Sequence, residues 1–292
     1  MKSKLHYFFC GLAMGAADVV PGVSGGTIAF IVGIYPRLLN AIEAFNLRFF
    51  TLALRFRLKE AFALIPWAFL LPLLTGIALS IFSLARTVTH ALETWPHIMW
   101  SFFFGLILAS IILLSKDLKL RTASTWLGLT LGAAFGWWVG GATSVEIGTS
   151  LPIFFVSGFI AICAMILPGI SGAFVLVLLG QYSHVIKAVA EFDVPVLIVF
   201  ALGCALGLMS FARVLNHLLK KFPSGIVATM TGIMAGSLRT IWPWKIEGAL
   251  ALPPAIDAAF ALALVFFVIG VMLPMALTKI AEYKAKKRYT QK

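Results

Sequence analysis

The stretch Pro21-Gly22-Val23-Ser24-Gly25-Gly26 returns later in the chain as Pro168-Gly169-Ile170-Ser171-Gly172-Ala173, at a spacing of 147 residues. Other residues recur at the same spacing, among them Gly33 with Gly180 and Tyr35 with Tyr182. Further along, a spacing of 127 residues pairs Arg86 with Arg213, His90 with His217, Gly105 with Gly232 and Ser110 with Ser237. Registers that persist over such long stretches indicate a duplicated unit.

The chain around these motifs is too apolar for a water-soluble domain. Of its 292 residues, 61% are hydrophobic and 12% are charged, and the mean hydropathy is +1.01. Apolar stretches close to the ~20 residues that cross a bilayer lie at 64–84, 98–114, 194–215 and 258–277. We therefore expect an integral membrane protein made of helices, with no room for a soluble domain of ordinary size.

Each copy of the motif separates two apolar pieces that are too short to cross the membrane alone. In the first copy these pieces are 6–20 and 27–42, and at 1.5 Å per residue each reaches roughly 21 to 24 Å of the ~30 Å required. Proline and clustered glycines disfavour a continuous helix through the motif. The pair is therefore either a re-entrant hairpin or one long kinked span.

The distribution of Lys and Arg favours the hairpin. With a cytoplasmic N-terminus and three full spans after each hairpin, 19 of the 23 basic residues fall inside. The four that fall outside are Arg86, Lys187, Arg239 and Lys245. If each pair were one full span, the same residues would divide almost evenly between the two sides. An odd number of spans also inverts the second unit relative to the first.

The predicted fold is an all-α polytopic membrane protein of two inverted-topology repeats, each a re-entrant helical hairpin followed by three transmembrane helices. The first repeat covers residues 1–145, with a hairpin at 6–42 and spans at about 62–84, 98–114 and 124–141. The second repeat covers residues 146–292, with a hairpin at 151–189, spans at about 194–215, 225–241 and 258–278, and a basic cytoplasmic tail. We expect one membrane domain with both termini in the cytoplasm.

Two hairpins that enter from opposite faces bring their broken tips together near the midplane, where secondary transporters bind their substrates. In each copy a half-helix begins after the motif serine, so free N–H groups and the positive end of the helix dipole point into the tip region. The predicted anion-binding residues are Ser24, Gly25, Gly26 and Thr27 in the first copy and Ser171, Gly172 and Ala173 in the second. A phosphate or a carboxylate suits this cradle. Close helix packing is the alternative reason for the glycines.

Charged residues in apolar segments are further candidates because they are rare there and usually mark function. Asp18 comes three residues before the first break, and beside an anion cradle it suits coupling to protons or sodium. It could equally cap a helix or pair with an arginine. Arg37 and Arg239 are candidate phosphate ligands. Arg86 and Arg213 are candidate coupling or pairing residues, or side chains that simply extend to the membrane interface.

Missing motifs exclude several functions. No C-x-x-C pair, metal-binding signature or nucleotide-binding signature occurs, so we predict no metal, no cofactor and no ATP-driven transport. Cytoplasmic loops explain the net charge of +12, and no nucleic-acid binding is expected. Residues 22–26 fit the G-x-S-x-G motif of serine hydrolases, but the five histidines lie at span ends or in loops. An intramembrane serine hydrolase is therefore the less favoured alternative, and no enzyme is predicted.

The run from Gly15 to Thr27, with its second copy from Leu167 to Gly172, resembles the PopT family of bacterial polyprenyl-phosphate transporters. The resemblance extends over nearly the whole chain, and residues 105–110 and 232–237 also fit the family pattern. It implies a transporter in the bacterial inner membrane that returns undecaprenyl phosphate from the outer to the cytoplasmic leaflet. This lipid is the carrier in the synthesis of the cell wall and of surface glycans.

On this interpretation the phosphate passes through the cradle by alternating access while the polyprenyl tail stays in the lipid. The expected partners are the polyprenyl-phosphate lipid, membrane lipids, a proton or sodium ion if Asp18 couples transport to a gradient, and a second copy if the chain forms a homo-oligomer. The main competing function is a secondary transporter or channel for a small soluble anion. It would use the same cradle within a cavity closed to lipid.

Overall fold

The computed structural model describes residues 4–19, 24–116, 118, 122–246, 249–253 and 256–289. Pro21, Gly22 and Val23 of the first motif lie outside the described residues. So do Lys2, Lys119 and Arg121, which are among the 19 basic residues predicted to lie in the cytoplasm. The side chains of the basic tail beyond Lys279 lie outside them as well.

Helices make up most of the described chain, and one short ribbon of two strands lies between the last two of them. The first half contains α1 (Lys4–Asp18), α2 (Gly25–Ile31), α3 (Tyr35–Glu43), α4 (Leu47–Leu54), α5 (Leu58–Ala63), α6 (Trp67–Thr94), α7 (Pro96–Ser115) and α8 (Ala123–Gly140). The second half contains α9 (Leu151–Ile166), α10 (Gly172–Leu178), α11 (Tyr182–Ala190), α12 (Val194–Lys221), α13 (Pro223–Ser237) and α14 (Ala258–Tyr289). The strands β1 (Lys245–Ile246) and β2 (Ala249–Leu250) are antiparallel, with Lys245 opposite Leu250.

The prediction of an all-α, multi-pass membrane protein is confirmed at this level. Within the described residues, four helical segments are long and apolar enough to cross a membrane: 67–84, 96–115, 194–221 and 258–276. Two bent helix pairs raise the number of candidate spans to six if each pair counts as one span. Large hydrophobic side chains such as Phe82 and Leu206 are exposed on these helices, as contact with lipid requires.

The second piece of each hairpin, predicted as one helix, is two helices. α2 and α3 are bent by 118° at their break, and α10 and α11 by 109°. Gly33 and Gly180 lie at these breaks with φ of +69° and +64°, a left-handed conformation that glycine adopts without strain and that ends helices. The continuous apolar pattern through this region concealed the bend. Each motif is therefore followed by only seven helical residues before the chain turns.

A row of glycines joins α8 to α13. Gly132 packs against the backbone of Thr229, and Gly136, one turn further along α8, packs against the backbone of Ile233. The contact advances by four residues on both helices, so α8 and α13 run in the same direction. Small residues at every fourth position allow the two backbones to approach closely, as in other membrane helix pairs.

Three further helix pairs pack through glycines. They are α1 with α6 through Gly11 and Gly76, α9 with α12 through Gly158 and Gly203, and α7 with α14 through Gly105 and Gly270. The pairs α1–α6 and α9–α12 each lie within one half of the chain. The pairs α7–α14 and α8–α13 each join one half to the other, so the bundle depends on both halves.

The six predicted spans all overlap helices, but with different lengths. Spans predicted at 62–84, 98–114, 194–215 and 258–278 overlap α6, α7, α12 and α14. The spans predicted at 124–141 and 225–241 overlap α8 and α13. α8 has 18 residues but is less hydropathic than the other four segments, and α13 is shorter, with 15 residues. Their glycines and threonines lower the apolarity because one face of each helix contacts the backbone of the other.

We expect Gly132→Ala to lower the melting temperature of the detergent-solubilised protein, because the added methyl group overlaps the Thr229 carbonyl oxygen. Overpacking of this kind costs ~1–3 kcal/mol. Gly225→Ala in α13 is the matched control, since a methyl group there meets no atom within 4 Å. Equal melting temperatures for the two variants would contradict a tight contact between α8 and α13.

Candidate functional site

The two broken segments meet through hydrogen bonds between side chains of the first and backbone groups of the second. The Ser24 hydroxyl donates to the Met165 carbonyl oxygen at 2.9 Å. The Gly169 amide donates to Thr27 Oγ1 at 3.0 Å. Ser24 is 1% exposed and Thr27 is fully buried, so this junction lies inside the helical bundle. The first copy of the motif is thus fastened to the region of the second copy.

Tyr35 adds a third link across the junction. Its hydroxyl donates to the Ile166 carbonyl oxygen at 2.9 Å. Gly26 faces the same oxygen, and a methyl group on Gly26 would lie 2.8 Å from it, so this approach requires glycine. α9 ends at Ile166, so the carbonyl groups of its last turn have no partner within the helix. The first hairpin donates hydrogen bonds to two of them, those of Met165 and Ile166.

The break in the second hairpin packs on α13. Gly169 has φ of +93°, and a methyl group there would lie 2.8 Å from the Cα atom of Met234. Both the backbone conformation and the close contact therefore require glycine at this position. Gly169 therefore allows the broken tip of the second hairpin to fit between α13 and the first hairpin.

Asp18 closes the first break from within the hairpin. Its carboxylate accepts a hydrogen bond from the Gly25 amide at 2.7 Å. The Ser24 hydroxyl oxygen accepts one from the Gly26 amide at 3.1 Å. The N–H groups predicted to be free at the start of α2 are therefore bound to oxygen atoms of the protein. The oxygen atom bound at the first amide of α2 in this structure belongs to the Asp18 side chain.

The second copy of the cradle has different surroundings. Ser171 begins α10 without a side-chain cap hydrogen bond, and Gly172 packs against the Ala161 carbonyl group of its own hairpin. Ser171 is buried and Ala173 is half-buried. The hydrogen bonds from the first hairpin go to residues 165–169, which precede the second motif serine. The structure thus brings Ser24, Gly26 and Thr27 to the end of α9 and the break after it.

Arg37 lies on the exposed side of α3. Its guanidinium donates to the Tyr7 hydroxyl at 2.5 Å and stacks over the rings of Tyr7 and Phe69, at 4.9 and 5.1 Å from their centroids. One of its N–H donors is used in this hydrogen bond, and a guanidinium has five. Arg37 is therefore oriented by aromatic groups and keeps donors for an anion at this surface.

Arg213 fastens α12 to the end of α3. Its guanidinium donates to the Phe45 carbonyl oxygen at 3.1 Å. One turn along α12, Asn216 donates to the Glu43 carboxylate at 2.6 Å. These contacts place Arg213 at the interface between the two halves of the chain. Arg86, the corresponding residue of the first half, is exposed.

Arg239 lies in the segment that follows α13. Its guanidinium stacks over the Trp137 ring at 4.8 Å and donates to the Trp137 carbonyl oxygen at 3.5 Å. Lys245 lies nearby and donates to the Thr240 carbonyl oxygen at 2.5 Å. The structure therefore associates Arg239 with the end of α8, away from the hydrogen bonds that join the two hairpins.

Four residues of the junction were not predicted: Tyr35, Met165, Ile166 and Gly169. Tyr35 carried a signal, since it recurs as Tyr182 at the motif spacing. Met165 and Ile166 contribute only backbone carbonyl oxygens, which every residue possesses, so their side chains hold no information about the contact.

The geometry defines a class of protein. Broken helices that meet inside a membrane bundle, with polar side chains at the junction, are the arrangement of secondary transporters. Among the described residues, no group of three or more His, Cys, Asp or Glu side chains could hold a metal ion. The Ser24 hydroxyl, the nucleophile of the hydrolase alternative, donates its proton to a backbone carbonyl.

Comparison with known proteins identifies the family. Residues 14–255 match the family described as undecaprenyl phosphate translocase-like, and the chain belongs to that family. It is 44% identical over 241 residues to the polyprenyl-phosphate transporter of Vibrio cholerae serotype O1, covering 82% of this chain and 78% of the relative. It is 31% identical over 291 residues to the polyprenyl-phosphate transporter of Staphylococcus aureus, covering 92% and 94%. No solved structure is significantly similar to the chain.

The family assignment confirms the resemblance drawn from the two motifs. The family and both relatives are named for transport, which agrees with the prediction that the protein is not an enzyme. The intramembrane hydrolase is therefore set aside.

We expect Thr27→Val to destabilise the junction, because valine has the same shape but leaves the buried Gly169 amide without an acceptor. An unsatisfied buried group costs ~1–3 kcal/mol. The melting temperature should fall, and hydrogen exchange of the amides in residues 167–171 should accelerate. Thr75→Val is the matched control, since Thr75 is exposed and donates only within its own helix. Equal exchange in both variants would contradict the junction.

Proposed function

We propose that the protein moves a polyprenyl phosphate, undecaprenyl phosphate in the first instance, from the outer to the cytoplasmic leaflet of the bacterial inner membrane. The family and the names of the two relatives support this substrate. The observation that carries the mechanism is the hydrogen-bonded junction between the two broken segments, where Ser24 and Thr27 are buried in the bundle.

The difficult part of this transport is the phosphate. An isolated anion is extremely costly to move through hydrocarbon, whereas the polyprenyl tail is at home there. A polar route through the protein therefore has to serve only the head of the lipid. Ser24, Thr27 and Ser171 are polar residues with at most 5% exposure, and they follow the two breaks in the membrane part of the chain.

Asp18 is the proposed gate of this route. Its carboxylate occupies the Gly25 amide, which is the position proposed for a phosphate oxygen. The carboxylate and the phosphate repel each other, so the phosphate enters when Asp18 is protonated, paired with sodium or moved away. Such a step would couple lipid transport to an ion gradient.

The proposed alternating access uses inverted repeats, and the directions of the helices support them. α7 and α14 begin beside the same segment, because His97 Nδ1 lies 2.8 Å from the Pro243 carbonyl oxygen and the Trp244 ring lies 5.8 Å from that of Phe260. α7 therefore runs parallel to α14, as α8 does to α13. α7 corresponds to α13 in the sequence repeat, and successive spans run in opposite directions. The helix contacts therefore support an inverted relation between the two repeats.

In proteoliposomes with radiolabelled polyprenyl phosphate added to the outer leaflet, we expect wild-type protein to protect the lipid from an external phosphatase. Asp18→Asn should abolish the dependence of this protection on an imposed proton or sodium gradient. Asparagine still accepts a hydrogen bond from the Gly25 amide but cannot take up or release a proton.

Asp257→Asn is the matched control, because Asp257 also accepts from a backbone amide, that of Phe260, but at an exposed position. Unchanged gradient dependence in Asp18→Asn would refute the coupling role. If wild-type protein left the lipid unprotected and instead took up inorganic phosphate, the small-anion transporter would be the better function.

Cysteine labelling tests the topology in a variant whose native cysteines are replaced by alanine. Arg55 and Lys187 are both exposed. In spheroplasts, a membrane-impermeant maleimide should label Lys187→Cys from outside and Arg55→Cys only after permeabilisation, since inverted repeats with a cytoplasmic N-terminus separate them. Labelling of both residues from outside would indicate parallel repeats.

A further inference from the structure

A cleft of about 720 Å³ opens beside the second hairpin. Its walls come from α8, α9 and α10, and its lining is almost entirely apolar. Its lining includes Leu167 and Ile170, which flank the second break, and Gly141, which directly follows α8. A concave apolar site of this volume is typical of small-molecule binding.

The edge of the cleft is held by hydrogen bonds. The Val145 amide donates to the Leu178 carbonyl oxygen at 2.7 Å. Gln181, which is 1% exposed, donates through Nε2 to the Gly148 carbonyl oxygen at 2.7 Å. The segment after α8 is thereby fastened to the bend between α10 and α11. The cleft is therefore a shaped site and not a gap between loosely packed helices.

Two cationic side chains lie near Gly141. Gly141 lines the cleft, and a methyl group there would lie 2.6 Å from Cζ of Arg239. Lys245 donates to the carbonyl oxygen of Thr240, the residue next to Arg239, and Thr240 packs against Gly140. Burial, and after it the Arg239 charge, lowers the pKa of Lys245.

Neither cation has a carboxylate partner among the described residues. The ion pairs found there are Arg57 with Glu60 and Lys187 with Glu191. Arg239 and Lys245 instead donate to the carbonyl groups of Trp137 and Thr240. Two neighbouring positive charges with no carboxylate at ion-pair distance among the described residues create a local potential that attracts an anion.

We propose that the cleft binds the isoprenoid chain of a polyprenyl phosphate while Arg239 and Lys245 bind its phosphate. The cleft is then the loading site from which the head moves on to the junction of the hairpins. This inference rests on the proposed function and adds a site for the tail of the substrate.

The chemistry of the cleft selects this occupant. A polyprenyl phosphate has one apolar chain and one anionic head, which match a single apolar cleft with cations beside its Gly141 wall. A diacyl phospholipid carries two chains for one head, and a soluble anion gains nothing from apolar walls. Arg239 can bind phosphate through two parallel N–H groups, and Lys245 adds a point charge.

Photocrosslinking in nanodiscs tests the site with a polyprenyl phosphate that carries a diazirine on its chain. Crosslinks in the wild type should fall within residues 135–145 and 160–179. Ala164→Trp, which fills the cleft, should remove most of them. Ala201→Trp is the matched control, because Ala201 lies on the exposed face of α12. Melting temperatures of both variants verify that they fold.

The Arg239→Ala variant distinguishes binding of the phosphate head from binding of the isoprenoid tail. It should weaken competition by unlabelled polyprenyl phosphate about tenfold, the loss expected from one charge-assisted contact. Competition by the uncharged polyprenol of the same length should not change. Ala164→Trp should weaken the binding of both lipids.

Crosslinks outside the cleft, crosslinks that survive Ala164→Trp, or equal competition by phosphatidic acid would each overturn the proposal. So would unimpaired lipid transport by Ala164→Trp, although the proposed function would then stand. If wild-type protein crosslinks at the cleft yet moves no lipid in proteoliposomes, the binding site stands and the transport function fails.

Discussion

A backbone group buried in hydrocarbon must find a hydrogen-bond partner within the protein, and the rest of this structure depends on how that demand is met. α9 stops at Ile166 inside the bundle, which leaves its last carbonyl groups without helical partners. The first hairpin supplies the hydroxyl groups of Ser24 and Tyr35 to two of them. The break after α9 is therefore tolerable only beside the first hairpin, whereas Asp18 satisfies the Gly25 amide from within its own hairpin. The same requirement concentrates polar side chains at one place in an apolar bundle, which is what a phosphate would need.

Close contacts through glycine join the helices that surround this junction. Four helix pairs approach closely through small residues, and two of the four pairs combine a helix from each half of the chain. The second break also packs on such a pair, because Gly169 lies against Met234 of α13. The short helices α2 and α10 thus lie within a framework of longer ones, and their bends at Gly33 and Gly180 leave each of them as a separate unit.

The sequence predicted the parts of the fold that leave a local pattern. Proline and glycine in each motif identified the breaks, and apolar length identified the long helices. The bends at Gly33 and Gly180 escaped because the apolar pattern continues through them and a single glycine is weak evidence. The sequence could not show that Asp18 accepts a hydrogen bond from the Gly25 amide, because a carboxylate at this position could equally pair with an arginine or bind a coupling ion. Contacts such as Arg213 with the Phe45 carbonyl oxygen depend on long-range packing, and a backbone acceptor has no sequence signature.

The pairing of α7 with α14 affects how the chain is made. Gly105 leaves the ribosome more than a hundred residues before Gly270, the residue that completes its contact. During that interval the small-residue face of α7 is covered by lipid or by the insertion machinery. Helices therefore enter the bilayer in order, but the face of α7 that packs on α14 stays without its partner until α14 arrives. A chain whose synthesis stopped before α14 would be inserted with the Gly105 face of α7 still in contact with lipid.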